Sequence, residues 1–337
     1  MNNKTKIVLL SSIVGLIAIG FSLKFINAPK DYQPPEIVRS SPKNASNEQQ
    51  ETNPETKEVV KEKQLSISDF EHKNLKLSQV RYQNHCRAAI VASVNRKLIL
   101  YSKDAQKSHP IASMTKLLSV ITALDIIEKD PALTLQSKVK VTLNASQQPP
   151  FKLGLKAGDE YKLEDLFRIV MLSSVNDGIQ AIAEGISKDN NVNRFLSDKR
   201  RKAKTIGMTD TKFLTVHGYP LEENNRASCE GMLLLACEAL KYKDLIRWTS
   251  LKRGQFKFAD GRAITRGNTN KLVHRKGVIG LKTGFTNAAG RCLCLAAKRG
   301  DETIIVVGMG FPSSKYRDEF VGDTMEWAFK KLKEIDQ

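Results

Sequence analysis

Ile111-Ala112-Ser113-Met114-Thr115-Lys116 places a serine three residues before a lysine, at the head of a segment whose apolar positions Leu117, Leu118, Ile121, Leu124 and Ile127 recur at helical spacing. Pro110 breaks the extended pattern before it, so Ser113 falls near a helix start, with Lys116 on the same face. A serine hydroxyl is a weak nucleophile until a neighbour takes its proton. A lysine can do so only if burial or nearby cations pull its pKa down. The pair reads as an acyl-transfer nucleophile and its base, at a helix N-terminus whose partial positive charge favours a developing alkoxide. Spacing alone does not carry this, because Ser40 with Lys43 and Ser137 with Lys140 repeat it. What sets Ser113 apart is the loop before it and the buried helix face after it.

Outward from this stretch, residues 88–94 and 97–101 are apolar, β-branched runs separated by Asn95-Arg96, which predicts a tight hairpin. Downstream, 139–143 reads as a short strand and Pro149-Pro150 as a loop. Helical periodicity returns over 163–172 and 177–186, and 190–245 reads as mainly helical, with turns at Gly207 and Gly218. The period then changes: 278–283, 292–297 and 303–309 read as strands, and 315–335 as a closing amphipathic helix. Strands at both ends with helices between them predict an α+β fold, an antiparallel sheet flanked by helices plus a helical subdomain.

Two later stretches supply what a serine–lysine pair lacks. Ser174-Val175-Asn176 sits on the loop between two helices and offers a hydroxyl and an amide, able to relay a proton and to hold a substrate amide. Lys282-Thr283-Gly284 ends a strand and offers a cation and a hydroxyl to a carboxylate, with a glycine that allows close backbone approach. His217 is a further titratable group, but the lysine already fills the role of base.

The chain of 337 residues, 41% apolar, can build a large core. Its formal charge of +18 suits an anionic partner. The densest basic run, Lys199-Arg200-Arg201-Lys202 with Lys204, has no interleaved aromatics and reads as a solvated helix face, so nucleic acid is not an expected partner. Cys86, Cys229, Cys237, Cys292 and Cys294 show no paired spacing for zinc, and no metal or cofactor is expected. Cys292 and Cys294 would share one strand face as buried thiols.

Lys4 and Lys6 precede an uncharged run over 7–23, an export signal whose length lies between a cleaved h-region of roughly 7–15 residues and a bilayer span of about 17 or more. Pro29 after Ala28 suits peptidase cleavage poorly. The expectation is a cytoplasmic tail over 1–6, an uncleaved anchor over 7–23 in the inner (cytoplasmic) membrane, a disordered tether over 24–75 and a catalytic domain over 76–337 in the periplasm or wall space. If the signal is cleaved, the protein is secreted. Within this scheme 66–80 reads as a short helix packed on the domain.

Ser-x-x-Lys, a Ser-x-Asn element and Lys-Thr-Gly, in this order, form the signature of penicillin-binding proteins and some β-lactamases. The sequence resembles the serine D-alanyl-D-alanine carboxypeptidases among the low-molecular-mass penicillin-binding proteins, including their D,D-endopeptidase branch. The resemblance runs from about Ala88 to Gly310 and rests on Pro110-Ile111-Ala112-Ser113-Met114-Thr115-Lys116, Leu155-Lys156-Ala157-Gly158-Asp159-Glu160-Tyr161, Met171-Leu172-Ser173-Ser174-Val175-Asn176-Asp177 and Gly280-Leu281-Lys282-Thr283-Gly284-Phe285-Thr286-Asn287-Ala288-Ala289-Gly290. It implies a β-lactamase/transpeptidase-like fold, Ser113 as acylated nucleophile, Lys116 as proton acceptor and Asn176 as catalytic. Ser174, Lys282, Thr283, Gly284 and Phe285 would bind substrate, and the N–H groups of Ser113 and Phe285 would form the oxyanion hole. The implied substrates are peptidoglycan stem peptides, with β-lactams as covalent inhibitors. Two departures bear on substrate preference: Val175 stands where glycine is commoner, and Val216-His217-Gly218-Tyr219 with Arg226-Ala227-Ser228-Cys229 replace a Pro-Thr-Gly-Leu and His-x-Ser-Thr-Ala pattern. The stop soon after the last helix resembles the endopeptidase members. Rival readings are a β-lactamase, for which Glu222 and Asn225 superficially suggest a deacylation pair one residue too close, and a non-catalytic wall-binding scaffold.

Overall fold

A computed structural model describes residues 64–337, so the anchor segment and most of the expected tether lie outside the described residues. The N-terminal hairpin forms as its sequence predicts: β2 (Ala88–Ser93) and β3 (Leu98–Lys103) follow a two-residue strand β1 (Glu71–His72). The turn between β2 and β3 closes with Lys97 N–H donating to Val94 at 3.2 Å. After β4 (His109–Pro110) a single 3-10 turn, Ala112–Met114, leads into α1 (Thr115–Lys129). The helical region continues through β5 (Lys138–Lys140), α2 (Leu143–Ser146), β6 (Glu160–Lys162), α3 (Leu163–Ser173), α4 (Asn176–Gly185) and α5 (Val192–Ile206). Then come β7 (Arg226–Ala227), α6 (Cys229–Ala239), α7 (Lys243–Thr249) and a hairpin of β8 (Arg253–Lys257) and β9 (Ala263–Gly267). Three long strands, β10 (Val278–Thr286), β11 (Gly290–Arg299) and β12 (Glu302–Phe311), precede the closing helix α8 (Ser314–Ile335).

The main sheet has the order β1-β3-β2-β12-β11-β10. Pairing of β12 with β2, Val306 opposite Val91, joins the two ends of the fold in one sheet, the α+β arrangement that strands at both ends predict. The period-two rule sorts each strand between two cores. On β12, Ile305, Val307 and Met309 face the helical region with Ile90 of β2 and with Cys292 and Cys294 of β11. Ile304 and Val306 face α8 with Val91, Leu293 and Leu295, where Phe320, Val321, Met325 and Ala328 cover them. All five cysteines are free and buried, and Cys292 and Cys294 share a face as expected.

Three expectations are corrected. The tether does not extend to residue 75: β1 pairs in parallel with β3, Glu71 opposite Leu98, and Phe70 is buried in the core, an apolar side chain that disorder would leave in water. Residues 207–228 are not helical and hold the short strand β7. Gly207 (φ 85°) caps α5, and several carbonyls of this stretch, among them those of Phe213, Thr215, Val216 and His217, accept from side chains. The basic run is not wholly solvated, because four successive residues exceed one helical turn and one must face inward. Lys199 is that residue, fully buried, while Lys202 is paired with Asp125 and Glu238 at 2.8 Å each. Among the described residues no helix is long and apolar enough to cross a membrane.

Candidate active site

β10 is the edge strand of the sheet and passes directly beside the 3-10 turn that carries Ser113. Gly284 permits this approach: a Cβ there would lie 2.5 Å from the Ile111 carbonyl oxygen and 3.3 Å from Met114 N. Gly218 does the same from the opposite side, where a Cβ would meet the Ala112 carbonyl oxygen at 2.0 Å. Its φ of 84° belongs to a conformation that glycine adopts without strain.

Lys116 is completely buried in α1. Its Nζ lies 2.8 Å from Ser113 Oγ, 2.7 Å from Asn176 Oδ1 and 2.7 Å from the His217 carbonyl oxygen. Asn176 opens α4, and its amide orientation is fixed because Nδ2 donates to the Pro150 carbonyl at 2.7 Å. Its Oδ1 therefore faces the lysine purely as an acceptor. A neutral amine has two N–H bonds and one lone pair. Asn176 Oδ1 and the His217 carbonyl can only accept, so they take both N–H bonds and leave the lone pair to the Ser113 hydroxyl. In the neutral form, which burial favours, this leaves the lone pair facing the Ser113 hydroxyl, whereas as an ammonium Lys116 would donate to Ser113 Oγ as well. Burial, then the charges of Lys282 and Lys199, hold its pKa well below the usual lysine range, while Asp177 opposes them.

The loop before α4 is held by the same residues. The Asp177 carboxylate accepts from Leu153, Gly154, Leu155 and Gly178 N–H groups at 2.8–3.1 Å. Asn176 N–H donates to the Phe151 carbonyl at 2.8 Å. Ser174 closes α3 in the left-handed region (φ 65°, ψ 30°), which turns the chain between α3 and α4 within two residues. Sequence reasoning placed Ser113, Lys116, Ser174 and Asn176 correctly on these elements but assigned nothing to Asp177 or to the His217 carbonyl. A carboxylate at the start of a helix was the available signal for Asp177. No side-chain pattern can reveal a backbone carbonyl.

On the sheet side, Lys282 is also completely buried, and its Nζ donates to the Thr283 carbonyl at 3.2 Å. Burial, and secondarily Arg317, push its pKa down to about 7. Thr283 Oγ1 lies 2.9 Å from Thr269 Oγ1. The Phe285 ring lies under the Arg291 guanidinium, 3.4 Å from its centroid. Phe285 also lines a cavity of about 470 Å³ with Phe151, Tyr219 and Leu221, and Phe151 and Leu221 are 62% and 74% exposed. Cavities of about 500 and 900 Å³ lie away from this cluster, between α1 and α5 and beside α8. The concentration of buried, pKa-shifted groups, and not cavity size, marks the site.

His217 does not act as a base. Burial, then Lys116 and Lys199, bring its pKa down to about 3, and its Nδ1 accepts from Tyr219 N–H at 3.0 Å. Glu222 and Asn225 do not form a deacylation pair either. The Asn225 amide is fully engaged with Leu214, Thr215 and Thr115, and Glu222 is an exposed residue of the 470 Å³ cavity. Among the described residues no group of three or more His, Cys, Asp or Glu side chains is placed to hold a metal.

The fold and this geometry agree with what the chain is similar to. D-alanyl-D-alanine carboxypeptidase DacF of Bacillus subtilis is 27% identical over 249 residues, 74% of this chain and 63% of that protein. A D-alanyl-D-alanine endopeptidase of Escherichia coli is 26% identical over 228 residues, 66% of this chain and 70% of that protein. The chain therefore spans less than two thirds of the Bacillus relative. Penicillin-binding protein D2 of Listeria monocytogenes, solved in an ampicillin-bound form, superposes with a TM-score of 0.62 at 25% identity, over 76% of this chain and 99% of that one. The Streptomyces K15 DD-transpeptidase, at 23% identity and a TM-score of 0.67 over 76% of this chain and all of that one, shares the fold. The sequence model of the D-alanyl-D-alanine carboxypeptidase family matches residues 74–313. The chain belongs to that family.

Proposed function

We propose that the protein is a serine-type D-alanyl-D-alanine carboxypeptidase that shortens peptidoglycan stem peptides through an acyl-enzyme. The observation that carries this reading is the buried Lys116 Nζ, 2.8 Å from Ser113 Oγ, with two acceptors beside it that leave its lone pair to that hydroxyl when the amine is neutral. Lys116 takes the hydroxyl proton as Oγ attacks the carbonyl carbon of the terminal peptide bond. The tetrahedral oxyanion is received by the Ser113 and Phe285 N–H groups, at the point where β10 meets the 3-10 turn. Breakdown expels the amine of the terminal D-alanine, which takes a proton from the site, and water then releases the shortened peptide and frees Ser113 Oγ. Lys282 and Thr283 receive the terminal carboxylate, Ser174 and Asn176 line the cleft, and an extended peptide can lie along the open edge of β10. β-Lactams acylate the same serine.

Muropeptide analysis with purified protein tests this. Loss of pentapeptide monomers with release of D-alanine supports carboxypeptidase action, whereas loss of cross-linked dimers with pentapeptides intact replaces it by endopeptidase action. The endopeptidase is the second reading because D-alanyl-D-alanine endopeptidases of Escherichia coli and Pseudomonas aeruginosa are also among the relatives, each 26% identical to this chain. Rapid turnover of a chromogenic cephalosporin would instead indicate a β-lactamase, and failure to bind fluorescent penicillin a non-catalytic scaffold. The uncharged run over 7–23 supports an exported, membrane-anchored protein. Release of the protein from membranes by salt or alkali alone would overturn anchoring.

A further inference from the structure

Lys199 is a fully buried lysine that the reaction above does not use. Among the described residues no carboxylate pairs with it: its Nζ donates to the Thr215 carbonyl at 3.0 Å and lies 5.0 Å from the centre of the Phe213 ring. A buried ammonium without a counter-ion is costly, and an apolar side chain of similar size would pack at less cost. The position therefore needs an explanation beyond packing.

The segment 213–217 provides one. It runs between α5 and α1, and four of its five carbonyls are held by side chains. Phe213 accepts from Arg200 Nε at 3.0 Å, and Thr215 from Lys199 at 3.0 Å and Asn225 Nδ2 at 2.8 Å. Val216 accepts from Ser119 Oγ at 2.7 Å, and His217 from Lys116 at 2.7 Å. Asn225 Oδ1 also accepts the Leu214 and Thr215 N–H groups at 2.9 and 3.2 Å. The final carbonyl of this strap is one of the two acceptors that direct the Lys116 lone pair at Ser113.

We infer that Lys199 is a positioning residue for Lys116: it anchors the strap 213–217 to α5, so that the His217 carbonyl stays where it orients the catalytic amine, and it sets a second cation behind that amine. The charged and titratable groups around Lys116 are Lys282, Lys199 and Asp177, with His217 on the strap itself; Arg200 stands beside Lys199. Burial holds the pKa of Lys199 itself well below the usual lysine range, so it opposes protonation of Lys116 where it is itself charged, toward acid pH, and its loss there leaves more of the base protonated.

The inference rests on the acyl-transfer reading, and wild-type labelling by fluorescent penicillin separates the two: no labelling of wild type refutes that reading, whereas equal behaviour of wild type and variants refutes this inference alone. K199M, which fills the space without a donor or charge, is expected to acylate on the order of 100-fold more slowly, the scale of a misplaced catalytic group. Its acid limb of the acylation rate should move to higher pH. K199Q, which keeps a donor, should recover part of the rate but not the position of the limb, and K199R should restore the limb. S119A, which loosens the strap without changing charge, should slow acylation with the limb unmoved. A folded K199M with the wild-type rate and limb overturns the inference. Should K199M not fold, a K199Q limb at the wild-type position overturns it.

Discussion

Lys116, on the helical side of the cleft, is held by a hydroxyl, an amide oxygen and a backbone carbonyl, each within 2.8 Å. Lys282, across from it on the sheet edge, is as deeply buried, yet its hydrogen bond among the described residues is one to its neighbour's carbonyl at 3.2 Å. Both lysines are pushed down from the ordinary range by burial. The difference lies in what surrounds them. A general base must be held in one orientation before the substrate arrives, and that takes several fixed partners. In the proposed reaction Lys282 receives a carboxylate, and such a receptor must keep its donors free for the ligand, while a strand backbone can place it without side-chain bonds.

The largest effects should come from the helical side. S113A should abolish covalent labelling by fluorescent penicillin, and K116M should slow it by about 10²–10⁴-fold, the range of general-base catalysis. K116M leaves Asn176 Oδ1 and the His217 carbonyl without their donor, a cost of about 1–3 kcal/mol that relief of the buried amine offsets in part, so its thermal midpoint should fall only modestly. K282M should instead label at a rate closer to wild type with a ligand lacking the carboxylate, and lose about 1.5–3 kcal/mol of binding to carboxylate ligands, as a charged hydrogen bond does. Equal losses for both ligands would erase the contrast between the two sides.

G284A tests the contact between them. Its Cβ would stand 2.5 Å from the Ile111 carbonyl oxygen, so β10 must shift from the 3-10 turn, and acylation should fall by about 10–100-fold with smaller change in stability. Protonation sharpens the comparison further. Only neutral Lys116 accepts the serine proton, so the acylation rate should rise with pH through its lowered pKa and level off above it; a flat profile would count against Lys116 as base. Lys282, with a pKa near 7, is largely neutral above that pH in the free enzyme. A carboxylate ligand favours its charged form, so binding at pH 8 should take up a fraction of a proton, seen by calorimetry in buffers of different ionisation enthalpy. The smallest effect is expected at Lys140, exposed on β5 and three residues after Ser137. K140A should change acylation by less than about twofold, the effect of a surface change of about 0.5 kcal/mol.

That last pair shows how far the sequence reads. Ser137 with Lys140 has the spacing of Ser113 with Lys116, but Ser137 Oγ accepts from Thr134 N–H at 2.9 Å in a turn and Lys140 points its strand position to solvent. Helical periodicity after Ser113, and the order of the three motifs, separated the two without coordinates. The basic run at 199–202 shows the opposite case, since composition suggested a solvated face and gave no sign that Lys199 turns inward.

The sequence by itself determined the α+β class, the hairpin of β2 and β3, the three C-terminal strands, the helices around Ser174 and Asn176, and the candidates Ser113, Lys116 and Asn176 that now stand together. Those are local matters of periodicity, breaking residues and residue chemistry. Tertiary structure alone decided that β1 joins the sheet and that 207–228 forms a loop and strap. It also decided that the His217 carbonyl and the Asp177 carboxylate frame the site, and that Lys199 lies behind Lys116. These features are contacts between backbone groups and residues some 16 to 101 positions apart, such as Lys199 with Thr215 and Lys116 with His217, and backbone acceptors leave no mark in a side-chain pattern.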